Sequence, residues 1–192
     1  RQQYGETYWH TSAQIQGIDV CPEHGCMLCD SELVVSADTP PVLVTAEEMI
    51  PQEPTAIRCE NTIQLMLADY VLKLFHSELD IGNSVAVGEF LHNKLHGTQY
   101  ASLRGEQRNM ALLQRYFADY FKALPGDTFT ETWQLQKVFN GYRFNFVEVC
   151  MIAMFLKIPV DDLAHMMLPE SSAQDRFDGR VRELRNTGMK YP

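Results

Sequence analysis

The sequence predicts a mainly α-helical protein, in which a small N-terminal segment with short strands precedes a compact domain of about six helices. Beyond about residue 57, apolar residues recur with the period of amphipathic helices. Before that point, glycine, proline, cysteine and acidic residues alternate with short β-prone runs. The chain has 192 residues, of which 45% are hydrophobic, so it can fill a core of its own.

The first two predicted helices have apolar stripes and clear end signals. Asn61 is a suitable N-cap for the first helix, and the second is expected to begin near Ser84. Gly97 can end the second helix in the left-handed conformation. The first stripe comprises Ile63, Met66, Leu67, Tyr70, Val71, Leu74 and Phe75, and the second comprises Val87, Phe90, Leu91 and Leu95.

The next two helices are bounded by turn residues. A third helix is expected from about residue 102 to residue 124, where Pro125 and Gly126 follow. Thr130 is expected to cap a short fourth helix, which closes at residues 140–141, an Asn-Gly pair.

The last two helices depend on a capping box and a proline. Asn145 and Glu148 have the spacing of a capping box, which starts a fifth helix, and Pro159 limits that helix. A short sixth helix is expected over residues 159–167. The side chains expected in the helical core include Trp133, Phe139, Val149 and Phe155.

These patterns divide the chain into three parts. Residues 1–57 form the N-terminal segment with an extended linker, residues 58–170 form the helical domain, and residues 171–192 are a polar tail or the start of a further region. The boundary between the first two parts is placed near Pro54. Two short strands are expected in the first part, at residues 33–35 and 42–44.

The charge distribution bears on the class of partner. The formal net charge is -9, which argues against the simplest nucleic-acid binder because such proteins carry a basic excess. Residues 1–60 hold ten acidic and two basic residues, so most of the negative charge lies there. The later part is close to neutral and can still present a basic face.

The sequence contains no apolar run near the roughly 20 residues of a membrane helix, so no membrane partner is expected. Five cysteines in a chain without a secretory leader favour a reducing compartment, and the expected location is cytoplasmic. Because the sequence opens at Arg1 rather than methionine, we expect it to be an internal fragment of a longer protein.

The most specific candidate for a metal site is a Cys-x2-His pair on a turn bent by proline and glycine. Cys21 and His24 can present a thiolate and an imidazole to one Zn²⁺, which takes four tetrahedral ligands in structural sites. Cys26 and Cys29 lie close enough to complete the set, although four ligands within nine residues require a tight loop. A turn with a buried Cys21 thiol is the alternative.

A longer motif surrounds this pair. It reads Tyr4-Gly5-Glu6-Thr7-Tyr8-Trp9, then Gln14 and Gly17, then Cys21-Pro22-Glu23-His24-Gly25. This combination resembles the zinc-finger segment of the TnsD/TniQ family of transposon target-selection proteins. The resemblance covers roughly residues 4–33, and a weaker match is present at residues 133–139.

The resemblance implies a zinc-finger-like first part. Cys21 and His24 are then half of a structural zinc site, and the family's Cys-x2-Cys pair falls upstream of Arg1. The sequence departs from the family by having Cys26 and Cys29 where apolar residues are usual, and Ala13 where a histidine is frequent.

The resemblance also implies a function. Members of the family choose where a transposon inserts, some by binding double-stranded DNA and some by joining a CRISPR complex, and they recruit an AAA+ ATPase regulator. A binding module of this kind is the main hypothesis. The alternative is a helical protein-interaction module of a transposition or CRISPR-associated complex that does not contact DNA.

Candidate DNA contacts come from the helical wheel of the predicted third helix. Its basic residues fall within a sector of about 40°, opposite the apolar face, although Asp119 lies beside them. A solvated face with ordinary ion pairs is the competing interpretation. The stripe comprises Arg104, Arg108, Arg115 and Lys122.

Lys137 and Arg143, together with Asn145, are further candidates for phosphate contacts, since they lie at the entrance of the fifth helix. That helix is apolar nearly all round, so we expect it at the centre of the fold rather than in a DNA groove, where polar side chains must reach base edges.

No enzyme motif is present: the sequence lacks a phosphate loop, a nucleophile elbow and a His-Glu-x-x-His pair. We therefore expect no catalysis and no small-molecule substrate. A metal-dependent hydrolase using Cys21, His24 and Cys29 is the weakest of the three function classes.

Overall fold

The computed structural model describes residues 10–30, 45–51, 55–79, 83–101, 108–125, 129–142 and 144–166. Within these ranges the fold is mainly α-helical with one small antiparallel sheet near the N-terminus, which confirms the expected fold class. The strands are β1 (Val20–Cys21) and β2 (Cys26–Met27), and the helices are α1 (Ala46–Met49), α2 (Thr62–His76), α3 (Ser84–Lys94), α4 (Met110–Phe121), α5 (Thr132–Phe139), α6 (Phe146–Phe155) and α7 (Val160–Ala164).

Helix α6 is the centre of the core. Val147 and every residue from 149 to 154 are buried, as the apolar composition of this helix predicts. Helix α2 packs against α6 and α7, and the Tyr70 hydroxyl donates a hydrogen bond to the carbonyl oxygen of Ile158 at 3.0 Å. The expected burial of α6 is therefore confirmed, and this helix is not available to a DNA groove.

Asparagine side chains cap several helices. Asn61 accepts a hydrogen bond from the backbone of Gln64, and Asn145 and Glu148 form the expected capping box of α6. The second helix begins at Ser84 as expected, with Asn83 as its cap. These caps satisfy backbone donors that a helix leaves unpaired in its first turn, so they fix where each helix begins.

Helix α4 is shorter than the predicted third helix. It begins at Met110, because Asn109 takes a non-helical conformation and its side chain accepts from the backbone of Leu112 at 3.1 Å. Arg108 therefore precedes the helix, and the expectation that it lies on a helical stripe is wrong. Arg104 lies outside the described residues.

Helix α5 packs tightly against α3. Gly141, at φ +69°, ends the turn after α5, and a Cβ added to it would lie 2.6 Å from Cα of Val85. A Cβ added to Gly88 would lie 2.9 Å from the carbonyl oxygen of Val138. Only glycine allows these backbones to approach so closely. The N-cap of α5 is Glu131 rather than the predicted Thr130.

The expectation that Trp133 lies in the core is wrong, since this residue is 60% exposed. The residues of α5 that face the core are Leu135, Val138 and Phe139, and Trp133 lies on the opposite side of the helix from Leu135. Phe139 and Val149 are buried as expected, and Phe155 is partly buried against the core.

The N-terminal segment is attached to the helical body. Val20 is completely buried in a small cluster with Cys59 and Ala68, and Ala68 belongs to α2. The backbone N–H of Met27 donates to the carbonyl oxygen of Ile57 at 2.7 Å. The strands predicted at residues 33–35 and 42–44 lie outside the described residues, and the three-part division stays a prediction.

Candidate functional site

The β1–β2 hairpin brings the Cys-x2-His pair together. The register pairs Cys21 with Cys26, and the turn between them closes with a hydrogen bond from the Gly25 N–H to the carbonyl oxygen of Cys21 at 2.8 Å. Gly25 has φ +63°, which favours glycine. The turn places Sγ of Cys21 3.2 Å from Nδ1 of His24.

A third donor lies beside this pair. The ligand atoms of Cys21, Glu23 and His24 all lie within 4.8 Å of one another. Two ligands of one tetrahedral Zn²⁺ are about 3.5 Å apart, given metal–ligand distances of about 2.0 to 2.3 Å. Small side-chain rotations would bring the three atoms onto one ion. The group can therefore hold a metal ion.

The remaining cysteines are placed differently. Cys26 is half-buried opposite Cys21, and Cys29 is exposed, and neither belongs to the close donor group found among the described residues. Cys59 is buried, and its thiol faces the carbonyl oxygen of Asn61 and the side chain of Gln64. A site closed by Cys26 and Cys29 is thus not assembled in this structure.

Backbone hydrogen bonds close the hairpin and join it to the residues just before α2. The N–H of Leu28 donates to the carbonyl oxygen of Asp19 at 2.8 Å, and the N–H of Cys59 donates to that of Gly25 at 2.9 Å. The glycine that closes the Cys-x2-His turn is therefore tied to the residues just before α2. A metal bound at this turn would stabilise the contact between the N-terminal segment and the helical body.

Of the candidate DNA contacts, Arg108 lies against α5. Its Nη2 donates to Oδ1 of Asn140 at 2.8 Å, and Cζ lies 5.9 Å from the ring centroid of Phe139. Partial burial lowers the pKa of the Arg108 guanidinium from its usual high value. Its Nη1 is buried without a hydrogen-bond partner among the described residues.

The other two described cations of the predicted stripe lie on or beside α4. Arg115 is exposed and forms no ion pair within the described ranges. Lys122 follows the helix, and its ammonium lies 3.1 Å from the carboxylate of Asp119, with both side chains about three-quarters exposed. Such an exposed pair leaves Lys122 able to exchange its partner at little free-energy cost.

Lys137 is bound within the fold. Its Nζ lies 2.6 Å from Oε1 of Glu148, and the two side chains are only 25% and 13% exposed. The same carboxylate accepts from the N–H of Asn145 in the capping box of α6. Lys137 thus links α5 to α6. Arg143, the remaining candidate, lies outside the described residues.

A cleft of about 250 Å³ lies between the N-terminal segment and helices α2, α4 and α6. Its polar lining is made of amides and carboxylates, and no hydroxyl, thiol or imidazole of a described residue lines it. Glu148 and Asn145 are occupied by the capping box. The polar residues of the lining are Gln16, Asp19, Gln64, Asn145 and Glu148.

The spacing of the apolar residues in α5 indicates which side of this helix is buried. Leu135, Val138 and Phe139 define the buried side by themselves, which leaves Trp133 and Gln136 on the exposed side. Tyr142, just beyond the helix, is 65% exposed. Because the Trp133 ring was expected in the core, the sequence did not indicate that this side of α5 is exposed.

The chain matches no known protein-family model, no curated protein and no solved structure. The resemblance to TnsD/TniQ proteins rests on the motif residues that carry it. Residues 4–9 of that motif lie outside the described part of the chain, whereas Gln14, Gly17 and the Cys-x2-His turn lie within it. No helix of the described ranges is both long enough and apolar enough to cross a membrane.

Proposed function

We propose that this chain is part of a transposon target-selection protein that resembles the TnsD/TniQ family. In this role it binds double-stranded DNA and recruits transposition partners such as an AAA+ ATPase regulator. The observation that carries the proposal is the Cys-x2-His turn, which combines a 3.2 Å contact between Cys21 Sγ and His24 Nδ1 with the surrounding family-like motif.

The metal of this proposal is a structural Zn²⁺. Thiolate and imidazole are ligands that zinc prefers, and structural zinc sites take four protein ligands. The resemblance implies that Cys21 and His24 supply two of these ligands and that a Cys-x2-Cys pair before Arg1 supplies the other two, while Glu23 lies within reach as an alternative donor. Binding deprotonates the Cys21 thiol, so zinc affinity falls as the pH is lowered.

The proposed role is binding rather than catalysis. The resemblance to a family of binding proteins supports this role. All five cysteines are free, which fits the proposed reducing, cytoplasmic setting.

Elemental analysis of the purified chain tests the metal assignment. When the chain includes the Cys-x2-Cys pair expected upstream of Arg1, we expect about one zinc per chain, and Cys21→Ser should lose it because one of the strongest ligands is removed. Cys29→Ser is the matched control, since Cys29 is exposed and outside the donor group, and it should retain the metal. Glu23→Gln should also lose zinc if Glu23 is a ligand. Unchanged zinc in Cys21→Ser would overturn the assignment.

Titration with a labelled random-sequence duplex at several salt concentrations tests the DNA-binding function. Each phosphate contact releases counterions, so the logarithm of the binding constant should fall linearly with the logarithm of salt concentration. Arg115→Gln should flatten this slope by about 0.9 if Arg115 contacts a phosphate. Lys73→Gln is the control, because Lys73 is an exposed cation on α2. No affinity for duplex DNA at any salt concentration would overturn the function.

A helical protein-interaction module without DNA contact is the second candidate function. It is favoured by the pairing of Lys137 with Glu148 and of Lys122 with Asp119, which leaves few unpaired cations on the described surface. Binding to a purified AAA+ regulator, in the absence of any duplex affinity, would establish this alternative.

A further inference from the structure

We propose that Cys21 and Cys26 are a redox pair, which hydrogen peroxide converts into a disulfide that removes Cys21 from the metal site. A dithiol reductant reverses the reaction. The inference adds a redox response to the zinc site of the proposed function, and its statement about zinc rests on that function.

The register of the hairpin places the two cysteines opposite each other. Cys21 of β1 pairs with Cys26 of β2. Opposed residues of an antiparallel pair have Cα atoms about 4.5 to 5.5 Å apart, and a disulfide joins Cα atoms about 4.4 to 6.8 Å apart. The Cβ atoms must approach each other by about 1 Å, from the usual spacing of opposed residues to that of a disulfide. The backbones therefore already have the separation that the bond requires.

Both side chains leave the hairpin on the same side. Val20 is completely buried in a cluster with Ala68 of α2, and successive residues of a strand point to opposite faces. Cys21 therefore points away from that cluster, and its cross-strand neighbour Cys26 shares this face. Both cysteines are half-buried, so an oxidant as small as hydrogen peroxide can reach them.

Cys26 is held in this register from its other side as well. It forms an isolated antiparallel bridge with Arg58, and the N–H groups of Met27 and Cys59 donate hydrogen bonds between the same two stretches of chain. A thiol fixed beside Cys21 reacts with it at a high effective concentration. This arrangement favours a bond within the hairpin over a bond between two chains.

The two thiols have different roles in the reaction. Sγ of Cys21 lies 3.2 Å from Nδ1 of His24 and belongs to the close donor group, whereas Cys26 does not. A sulfur that is bound to a metal is protected, so hydrogen peroxide oxidises Cys26 first. The thiol of Cys26 becomes a sulfenic acid, and one water molecule is released.

The second step closes the disulfide. Sγ of Cys21 attacks the sulfur of the Cys26 sulfenic acid, so the S–S bond forms and the S–O bond breaks. The oxygen leaves as hydroxide and takes up a proton to become water. In total, two thiols lose two electrons and two protons to one hydrogen peroxide, which becomes two water molecules. A disulfide sulfur is no longer a thiolate, so the metal site loses one of its ligands.

The other three cysteines are placed less favourably for this bond. Cys59 and Cys150 are buried, and Cys29 lies two residues beyond the end of β2. Because Cys29 is exposed and close in sequence to Cys26, a disulfide that includes Cys29 is the competing product. The experiment must therefore distinguish these two products.

Peptide mapping of the whole chain tests the bond directly. The reduced, metal-free chain is treated with an equimolar amount of hydrogen peroxide, its free thiols are blocked, and it is digested without reductant. Cleavage after Glu23 separates Cys21 from Cys26, and cleavage after Leu28 separates Cys29 from both. We expect a peptide pair joined by Cys21 and Cys26 as the main product, which disappears after treatment with a dithiol.

Cys29→Ser is the matched control for the map, because it removes the neighbouring exposed thiol and should give the same joined peptides. A main product that joins Cys29 to Cys21 or Cys26, or that joins two chains, would overturn the inference.

Zinc release measured with a chromogenic chelator tests the consequence for the metal, in a chain that includes the upstream Cys-x2-Cys pair. Hydrogen peroxide should release the zinc of the wild-type chain, and a dithiol should restore binding. Cys26→Ser should bind zinc when reduced and should release it at least about tenfold more slowly, because the opposed thiol is absent. The zinc that this variant loses should not return, because Cys21 is then oxidised to a sulfinic acid that a dithiol does not reduce.

Failure of the inference and failure of the zinc site are distinguishable. If the reduced wild-type chain binds no zinc, the proposed zinc site falls and the control of the metal falls with it. If the chain binds zinc through Cys21 and hydrogen peroxide gives no bond between Cys21 and Cys26, the zinc site stands and the inference is overturned. Equal release and equal recovery in the wild-type and Cys26→Ser chains would overturn it as well. Loss of zinc from reduced Cys26→Ser, with an unchanged melting curve, would make Cys26 a ligand and would contradict its assigned role.

Discussion

The N-terminal hairpin and the helical body are stabilised by different means. In the body, α6 is surrounded on all sides, and Phe90, Phe117, Leu113 and Ile152 are among the fully buried side chains. In the hairpin, each strand has two residues, and Val20 is the one completely buried side chain of residues 20–28. An isolated two-stranded hairpin is marginally stable in water. Burial therefore accounts for the body, whereas the hairpin depends on its contacts to the rest of the chain, to which a metal bound at the Cys21–His24 turn would add.

The largest expected effect is on the core of the body. Phe117 is fully buried and contacts the rings of Phe121, Phe129 and Phe155 at centroid distances of 4.7 to 5.3 Å. Phe117→Ala should lower the free energy of unfolding by about 3 to 5 kcal/mol, because it leaves a cavity. The melting temperature should fall by about 6 to 20 °C for a chain of this size.

Trp133→Ala is the informative control for this prediction. The ring is 60% exposed, so its removal should leave the melting temperature close to that of the wild-type chain. Differential scanning calorimetry of both variants measures the contrast. Equal destabilisation by the two substitutions would contradict the assignment of Trp133 to the surface.

The next largest effect concerns the close contact between α3 and α5. Gly88→Ala would place a Cβ within 2.8 to 2.9 Å of three backbone atoms of residues 138–141, which must then move apart. We expect a loss of about 1 to 3 kcal/mol in the free energy of unfolding. Ala86→Gly on the same helix also exchanges alanine and glycine, but it adds no Cβ at the contact with α5. It therefore measures the effect of helix propensity apart from the clash. A Gly88→Ala variant as stable as the wild-type chain in urea denaturation would show that the two backbones are not so close.

A smaller effect is expected from Lys137. Lys137→Gln leaves the carboxylate of Glu148 largely buried without its cation, which should lower the free energy of unfolding by about 1 to 2 kcal/mol. The salt slope of DNA binding should stay unchanged, because Lys137 is bound inside the fold. A flattened slope with an unchanged melting temperature would instead support the original prediction that Lys137 contacts phosphate.

The smallest effect on the body is expected from metal removal. A chelator should make Cys21 reactive towards a thiol reagent at neutral pH, because the metal no longer protects it. Burial raises the pKa of the Cys150 thiol to about 12, so this residue should stay unlabelled with or without metal. Mass spectrometry of the labelled peptides measures both. Labelling of Cys150 after chelation would mean that the helical body also depends on the metal.

The sequence was sufficient to predict most helices, because apolar spacing and asparagine caps are local signals. Asn61, Ser84 and Asn145 mark helix starts that the structure confirms. The start of α4 was missed because Asn109 is an equally good cap within a longer apolar pattern. The choice between two possible starts depends on tertiary packing, which the spacing alone does not contain.

Candidate sites were harder to predict than helices. The contact between Cys21 and His24 follows from their spacing on a turn, so it was predictable. The partners of Arg108 and Lys137 were not, because Asn140 and Glu148 meet them only when α5 packs beside the start of α4 and the start of α6. A basic residue in a sequence does not indicate whether the fold already supplies its partner.

Hydrogen exchange with and without a chelator tests the central claim most directly, namely that metal at the Cys21–His24 turn stabilises the hairpin separately from the body. The account predicts that chelation removes protection from the N–H groups of Gly25, Met27 and Cys59, which hold the hairpin, and leaves the N–H of Leu156 at the end of α6 protected. Cys21→Ser should give the same pattern without chelator. Unchanged protection in the hairpin after chelation, in a chain shown to have lost its metal, would contradict the claim.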